Sequence, residues 1–373
     1  MNANELIAKF HEIATNPRVM MDKYLADNKR VILTAPVYTP EEIIHSMGYI
    51  PMGAWGADIR INDSKQYFPA FICSIMQTIL ELGMKGAYKG ASAIVIPSLC
   101  DSLKCLGQNW KCAVKDIPFI PMTYPQNRKP TYGCEFTKAG YNRVINDIEA
   151  LGQAKFDESK LLESIKIYNE HNEAMRSFAK TAAKSVLVTP QVRSDVFKSA
   201  YFMEKSEHTA LVNELISELE KDLGDVSKSV KIMTVGILAD SPALLQIFSD
   251  LSLKIVADDI AAESCQYRVD APVDSSLAID AMVTKFRNTD STSVMYDPAK
   301  KRCAEIAKRA KEAGADGLVY VLTKFCDPDE FDYPMIKKAC DEADIPCILI
   351  EVDRQMENME QARTMLQTFT ENI

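Results

Sequence analysis

The stretch 91-ASAIVIPSLCDSLKCLGQNWKCAVKDIPFIPM-122 reads as strand, helix, strand. ASAIVIP (91–97) is an unbroken apolar run, the mark of a parallel strand buried on both faces. DSLKCLGQNWKCAV follows as a helix, with Asp101 the expected cap. IPFIPM then returns as a second apolar run. Strands joined through a helix pair in parallel, so this unit predicts a sheet covered by helices on both faces.

The same alternation extends in both directions. Residues 3–27 read as helix, with Pro17 opening a second one. RVILTA (30–35) is a short strand, PEEIIHSMG (40–48) a helix ended by glycine, and YIPMGAW another strand. A helix is predicted from about Phe71 to Met84, because Ile72, Ile75, Ile79 and Leu82 fall at helical spacing. From about 134 to 222 the pattern is helical throughout, and DLGDVSKSVK (222–231) is a polar linker. Alternation then resumes. KIMTVGIL, KIVADD, DGLVYVLTKF and PCILIEV are strands; SPALLQIFSDL (capped by Ser241, with Pro242 at its first position), AKKRCAEIAKRAKEAG, FDYPMIKKACDEAD and NMEQARTMLQTFTEN are helices. The expected fold is α/β: two doubly wound, Rossmann- or flavodoxin-like parallel-sheet halves joined by a helical segment. The expected divisions are N-terminal helices plus a first α/β domain over 1–155, a helical connector over 156–225, and a second α/β domain over 226–373.

Composition narrows the function. The 373 residues carry a net charge of -9, which argues against a nucleic-acid or anionic membrane surface as partner. No apolar run reaches the roughly 20 residues that span a bilayer, and the start, MNANELIAKFHEIATNP, lacks a signal peptide's apolar stretch, so the expected location is cytoplasmic. There is no P-loop, no G-x-G-x-x-G after a strand, no H-E-x-x-H and no C-x-x-C. His11, His45, His171 and His208 lie on predicted amphipathic helices and read as surface or packing residues.

Ten cysteines in a reducing compartment point away from disulfides. Three of them, Cys100, Cys105 and Cys112, fall in the opening stretch. On a helix, Cys105 lies about 140° around from Cys100, and Cys112 about 120° around and roughly 18 Å along, so the three sulfurs do not converge on one ion. Cys100 stands apart, directly after a strand, where open α/β sheets place ligands. Cys326 repeats the pattern: SLCDSL and KFCDPDEF each set Cys-Asp after a strand and before a helix. Cys73, in YFPAFICSIMQ, lies beside a helix N-terminus, where a thiolate is favoured as a metal ligand. Cys340 and Cys347 in KKACDEADIPCILI, Cys303 on an exposed-looking helix, and Cys134 and Cys265 in loop regions read as structural. Cys105 and Cys112 read as helix-packing residues, with Cys105 left as the alternative to Cys100. Three thiolates from separate element ends fit an iron–sulfur cluster better than structural zinc, which uses short local pairs and four ligands. They leave one iron of a four-iron cluster for a non-cysteine ligand.

YFPAFICSIMQTILELGMKG, IPSLCDSLKCLGQNWK, KFCDPDEFDYP, PVYTPEEIIHSMGYIPMGAWG, LADSPALLQIFSD and EVDRQMENMEQARTMLQTF together resemble the β subunits of 2-hydroxyacyl-CoA dehydratases, over nearly the whole chain. They are nearest to the 2-hydroxyisocaproyl-CoA and lactoyl-CoA enzymes, with the phenyllactyl-CoA and 2-hydroxyglutaryl-CoA enzymes more distant. The resemblance implies a lyase of amino-acid fermentation in anaerobes, converting an (R)-2-hydroxyacyl-CoA to the (E)-2-enoyl-CoA through a ketyl radical. It implies a heterodimer in which the α subunit holds most of the substrate site. It also implies an ATP-dependent iron–sulfur activator that docks transiently and delivers the electron, which agrees with the missing P-loop. The β subunit would carry a [4Fe–4S] cluster that relays or stores that electron. Its ligands carry over to Cys73, Cys100 and Cys326, with a small sulfur or oxygen species on the fourth iron. A benzoyl-CoA-reductase-like or double-cubane reductase subunit would share these cysteines and is the rival expectation.

Overall fold

The computed structural model describes residues 1–290, 292–356 and 358–373. Helices α1 (Ala3–Thr15) and α2 (Pro17–Ala26) lead into β1 (Arg30–Thr34), α3 (Glu41–Ser46), β2 (Tyr49–Gly53), α4 (Ser74–Met84), β3 (Ala93–Pro97), α5 (Asp101–Ala113) and β4 (Phe119–Met122). Four helices follow: α6 (Thr131–Ala150), α7 (Glu158–Ala182), α8 (Pro190–Ser199) and α9 (Lys205–Leu219). The second alternation comprises β5 (Val230–Gly236), α10 (Pro242–Asp250), β6 (Leu253–Ile260), α11 (Ala278–Asn288), α12 (Lys301–Glu312), β7 (Gly317–Thr323), α13 (Asp327–Glu342), β8 (Cys347–Val352) and α14 (Glu360–Glu371).

The strands form two four-stranded parallel sheets, ordered β2-β1-β3-β4 and β6-β5-β7-β8. The two halves thus share one strand order, with winding that reverses between β1 and β3 in one and between β5 and β7 in the other. Those are the positions where crevices open at the carboxyl ends of strands. The apolar runs behave as expected: every residue of β3 and of β7 is buried. Gly236 shows why β5 ends in glycine. Its φ is 149°, and an added Cβ would lie 2.2 Å from the Val321 carbonyl oxygen of β7.

One apolar cluster runs through both halves, joining Leu33, Ile79 and Leu106 of the first to Ile232, Val321 and Ile350 of the second. A separate cluster packs Leu6 and Phe10 of α1 against Phe178, Phe197 and Val212 of α7, α8 and α9. Helix α11 lies in a stretch where no helix is predicted; it buries Ile279, Met282 and Phe286 against the first sheet's helices. Among the described residues no helix is long and apolar enough to cross a membrane.

Buried charges tie the carboxyl edges together. Arg354, just after β8, donates its backbone N–H to Ser74 Oγ at 3.0 Å, at the start of α4. Its guanidinium pairs with Asp58 and Asp240, each at 2.9 Å. Lys198 adds a second cation to Asp240 at 3.1 Å. Burial opposes the Asp240 charge, but Arg354 and Lys198 outweigh it and hold that carboxyl well below the usual range. At the end of β6, Asp259 takes Arg268 at 2.6 Å, Arg302 at 3.0 Å and Arg309 at 2.5 Å.

Removing one partner from such a buried pair leaves the other charge stranded, typically at a cost of about 3–5 kcal/mol. Arg354→Met is therefore expected to lower the unfolding free energy, read from urea titration, by about 3–5 kcal/mol; an unchanged midpoint would show that the Arg354 clamp does not hold the two halves.

Candidate metal centre

Cys73, Cys100 and Cys326 occupy one structural position each in three different helices: all three are N-caps, of α4, α5 and α13. Their backbones are non-helical, with φ and ψ of -61° and 141° at Cys73, -134° and 167° at Cys100, and -91° and 82° at Cys326. Asp101, the expected cap of α5, is instead its first helical residue, and its exposed carboxylate pairs with Lys104 at 3.0 Å. The helix after β7 begins at Asp327, earlier than the predicted FDYPMIKKACDEAD. Pro328 falls in the first turn, where a missing N–H does no harm, and Asp327, Asp329 and Glu330 favour that end of the dipole. Helix α4 begins at Ser74, three residues after the predicted start at Phe71, which makes Cys73 its cap.

Cys100 follows β3 and Cys326 follows β7, equivalent strands in the two sheets. The fold brings both sulfurs near Cys73: a thiolate at Cys73 or Cys100 would oppose ionisation of Cys326, and one at Cys73 that of Cys100. The Ser102 hydroxyl, in the first turn of α5, faces the Cys73 sulfur. Cys73 is buried within the cluster that spans both halves, and Cys100 and Cys326 are half-buried against it.

The electrostatics pull in two directions. Backbone N–H groups of Ile75 and Met76 face the Cys73 sulfur, those of Ser102 and Leu103 face Cys100, and that of Asp329 faces Cys326, without closing capping hydrogen bonds. These groups and three positive helix ends favour an anion. Burial disfavours it more strongly: it raises the Cys73 thiol, pushes Cys100 up to about 12 and lifts Cys326 well above its ordinary value, the last with help from the Asp329 charge. In the metal-free chain the three are neutral thiols.

Among the described residues no three His, Cys, Asp or Glu side chains close on a single ion. The arrangement instead offers three neighbouring sulfurs from three elements, the donor set of a multi-iron cluster with one iron ligated from elsewhere. The donor chemistry therefore fits such a cluster, and the three capping thiols are the residues that would hold it.

The other cysteines lie elsewhere. Cys105 and Cys112 are exposed on α5, which corrects their reading as packing residues: the buried stripe of α5 is Leu103, Leu106 and Trp110. Cys303 is buried, not exposed, because it shares the inward stripe of α12 with Ile306 and Ala310. Cys134 is in helix α6, not a loop, and donates to the Arg128 carbonyl oxygen at 3.6 Å. Cys265 is buried in a short 3-10 turn, Ser264–Tyr267. Cys340 and Cys347 hydrogen-bond to each other. His11 contacts Asp195 and His45 contacts Ser164, while His171 and His208 form a buried pair.

The capping role and the Arg354 anchor are the features not read from the sequence. The signal for the first was present: in FICSI, SLCDS and KFCDP each cysteine directly precedes a small polar residue that starts a helix.

Residues 36–373 match the family model of 2-hydroxyglutaryl-CoA dehydratase, D-component. The chain is 43% identical to the (R)-phenyllactyl-CoA dehydratase beta subunit of Clostridium sporogenes, with both chains covered over 100% of their length. It is 38% identical to the lactoyl-CoA dehydratase subunit beta of Anaerotignum propionicum, over 99% of this chain and 98% of the other. The phenyllactyl relative is thus the more similar of the two, the reverse of the order expected from the motifs. A benzoyl-CoA reductase subunit from Thauera aromatica is 23% identical over 93% of this chain and 91% of its own.

Thiol reactivity separates the two groups of cysteines. A thiol at about 12 is about 0.1% thiolate at pH 9, and Cys100 is also half-buried, whereas Cys105 and Cys112 are exposed to reagent. In the metal-free chain, iodoacetamide at pH 9 should label Cys105 and Cys112 within minutes and leave Cys100 and Cys73 unlabelled, as read by peptide mass spectrometry. Equal labelling of all four would contradict the burial derived for the site.

Proposed function

This chain belongs to the 2-hydroxyacyl-CoA dehydratase β-subunit family, and from that premise we propose that Cys73, Cys100 and Cys326 hold a [4Fe–4S] cluster serving the dehydration of an (R)-2-hydroxyacyl-CoA to its (E)-2-enoyl-CoA. The observation that carries this reading is the meeting of three capping thiols from both halves of the molecule. Such a cluster supplies a one-electron store at low potential.

The chain's own residues would do four things. The thiols lose their protons on binding iron, so loading is coupled to proton release. The three helix N-termini offset the negative charge of the thiolates. The N–H groups facing the sulfurs bear on the potential at which an electron is held. The apolar cluster behind Cys73 keeps water from that side. With three cysteines, the fourth iron would take a small sulfur or oxygen species.

The β-subunit relatives imply an α-subunit partner, which would hold most of the substrate site. Exposed Phe71, Phe325 and Phe331 flank Cys73 and Cys326 in sequence, and aromatic residues of this kind suit a protein interface. The electron would come from a separate ATP-hydrolysing iron–sulfur activator in the cytoplasm of an anaerobe. The rival reductase reading rests on a relative at 23% identity against 43% for the dehydratase.

Anaerobic purification with the partner subunit should give a brown protein, this chain accounting for about four iron atoms. Cys73→Ser, Cys100→Ser and Cys326→Ser should each lose most of that iron and the associated visible absorbance, while Cys105→Ser keeps both. Loss in Cys105→Ser with retention in Cys100→Ser would overturn the ligand assignment. Formation of a ring-reduced or saturated acyl-CoA in place of an enoyl-CoA would favour the reductase.

A further inference from the structure

A cavity of about 80 Å³ lies at the carboxyl end of β1, walled by residues 34–42, by α7, α9 and α11, and by the turn around Cys265. None of Cys73, Cys100 and Cys326 lines it. It sits where the first sheet reverses its winding, the place where open α/β sheets take ligands. Its walls are largely aromatic, including Tyr38, Trp55, Tyr201, Tyr267 and Phe286.

Its formal charges cancel in pairs. Lys205 meets Glu41 at 3.1 Å, and Lys285 meets Glu42 at 2.5 Å. An ionic ligand would have to break one of these pairs, so the cavity suits an uncharged one.

The hydrogen-bond chain behind the wall fixes what that ligand must offer. His208 Nε2 lies 3.1 Å from the Val196 carbonyl oxygen, which only accepts, so Nε2 carries the proton. The Ser199 hydroxyl, 3.1 Å from the same nitrogen, donates its own proton to Val196 O. Burial pushes His208 down to about 3, so the ring is neutral and its Nδ1 is bare. His171 Nε2, 3.0 Å from that Nδ1, is therefore the N–H donor. Burial first, and His208 next, hold His171 well below its ordinary value, so it too is neutral. Its Nδ1 is then a bare acceptor, fully buried and without a partner. Three residues earlier on the same helix face, the buried Tyr168 hydroxyl closes no short hydrogen bond, although the Glu41 carboxylate lies beside it. A buried acceptor left unsatisfied is destabilising, and a bound donor would recover that loss.

We propose that this cavity is a binding site for a small uncharged molecule that presents a hydrogen-bond donor to His171 Nδ1 and a carbonyl oxygen to the Tyr168 hydroxyl, of the primary-amide or hydroxy-carbonyl class. The volume has room for roughly five to eight water-sized groups, and the aromatic walls suit a short branched apolar tail. The site stands apart from the thiols and does not depend on the cluster reading.

The test compares two isosteric probes on the assembled enzyme by ligand-observed NMR titration. Isobutyramide has the donor; 3-methylbutan-2-one replaces its NH2 by CH3 and has none. The amide is expected to bind at least ten-fold more tightly. In His171→Phe the two probes should bind alike. Absence of amide binding, which would leave the cavity to water, overturns the proposal. So does equal binding of both probes to the unmodified protein, or an amide preference that survives in folded His171→Phe. Should that variant not fold, the comparison on the unmodified protein decides alone.

Discussion

Arg354 closes the joint on which the thiol site depends. The guanidinium lies in the interior between carboxylates from both halves, Asp58 and Asp240, while its backbone N–H holds Ser74, the first residue of the Cys73 helix. A buried ion pair contributes little net stability over an apolar contact of the same shape, because desolvation offsets the attraction. Its effect is directional: from one position the side chain meets Asp58 of the first half and Asp240 of the second. That arrangement sets the start of α4 beside the starts of α5 and α13, and so sets three sulfurs together.

The capping position explains how those sulfurs serve opposite demands. A parallel strand delivers its carboxyl end and the next helix's amino end to the same edge, so Cys100 and Cys326 inherit free N–H groups and a favourable dipole. Serine or aspartate there would close a capping bond and stabilise the helix. Cysteine caps weakly, which leaves its sulfur available. Burial then keeps the metal-free thiols neutral and unreactive, whereas binding to iron would make the N–H groups and dipoles favourable. The same edge of the first sheet also carries the aromatic cavity, after β1 and not β3, so two neighbouring strand ends carry different features.

Much of this was legible from the chain. The apolar runs of β3 and β7 announced buried parallel strands, and the helical angle between Cys100, Cys105 and Cys112 ruled out a local cluster. The errors share a cause. Asp101 has the residue type of a cap, yet the chain turns into the helix one residue earlier. Cys303 lies in a highly charged segment, yet Lys, Arg and Glu populate the outer face of α12 around a narrow apolar stripe, apart from Arg302 and Arg309, which both turn to the buried Asp259. Cys105 and Cys112 seemed packed because they are apolar, yet Leu103, Leu106 and Trp110 already fill the inner face. In each case residue type was read correctly and its direction was not.

Sequence by itself determined the class of fold, its two alternations and the three cysteines at element ends, because strand and helix periodicity and the break between them are local properties of the chain. The tertiary structure alone decided that both sheets share one strand order, that Cys73 joins Cys100 and Cys326, and that His171, its Nδ1 unpartnered, lines a cavity walled by distant segments. Those features arise from contacts between residues far apart in the chain, such as Arg354 with Ser74 and His171 with His208, and local periodicity holds no record of which distant surface a buried group will meet.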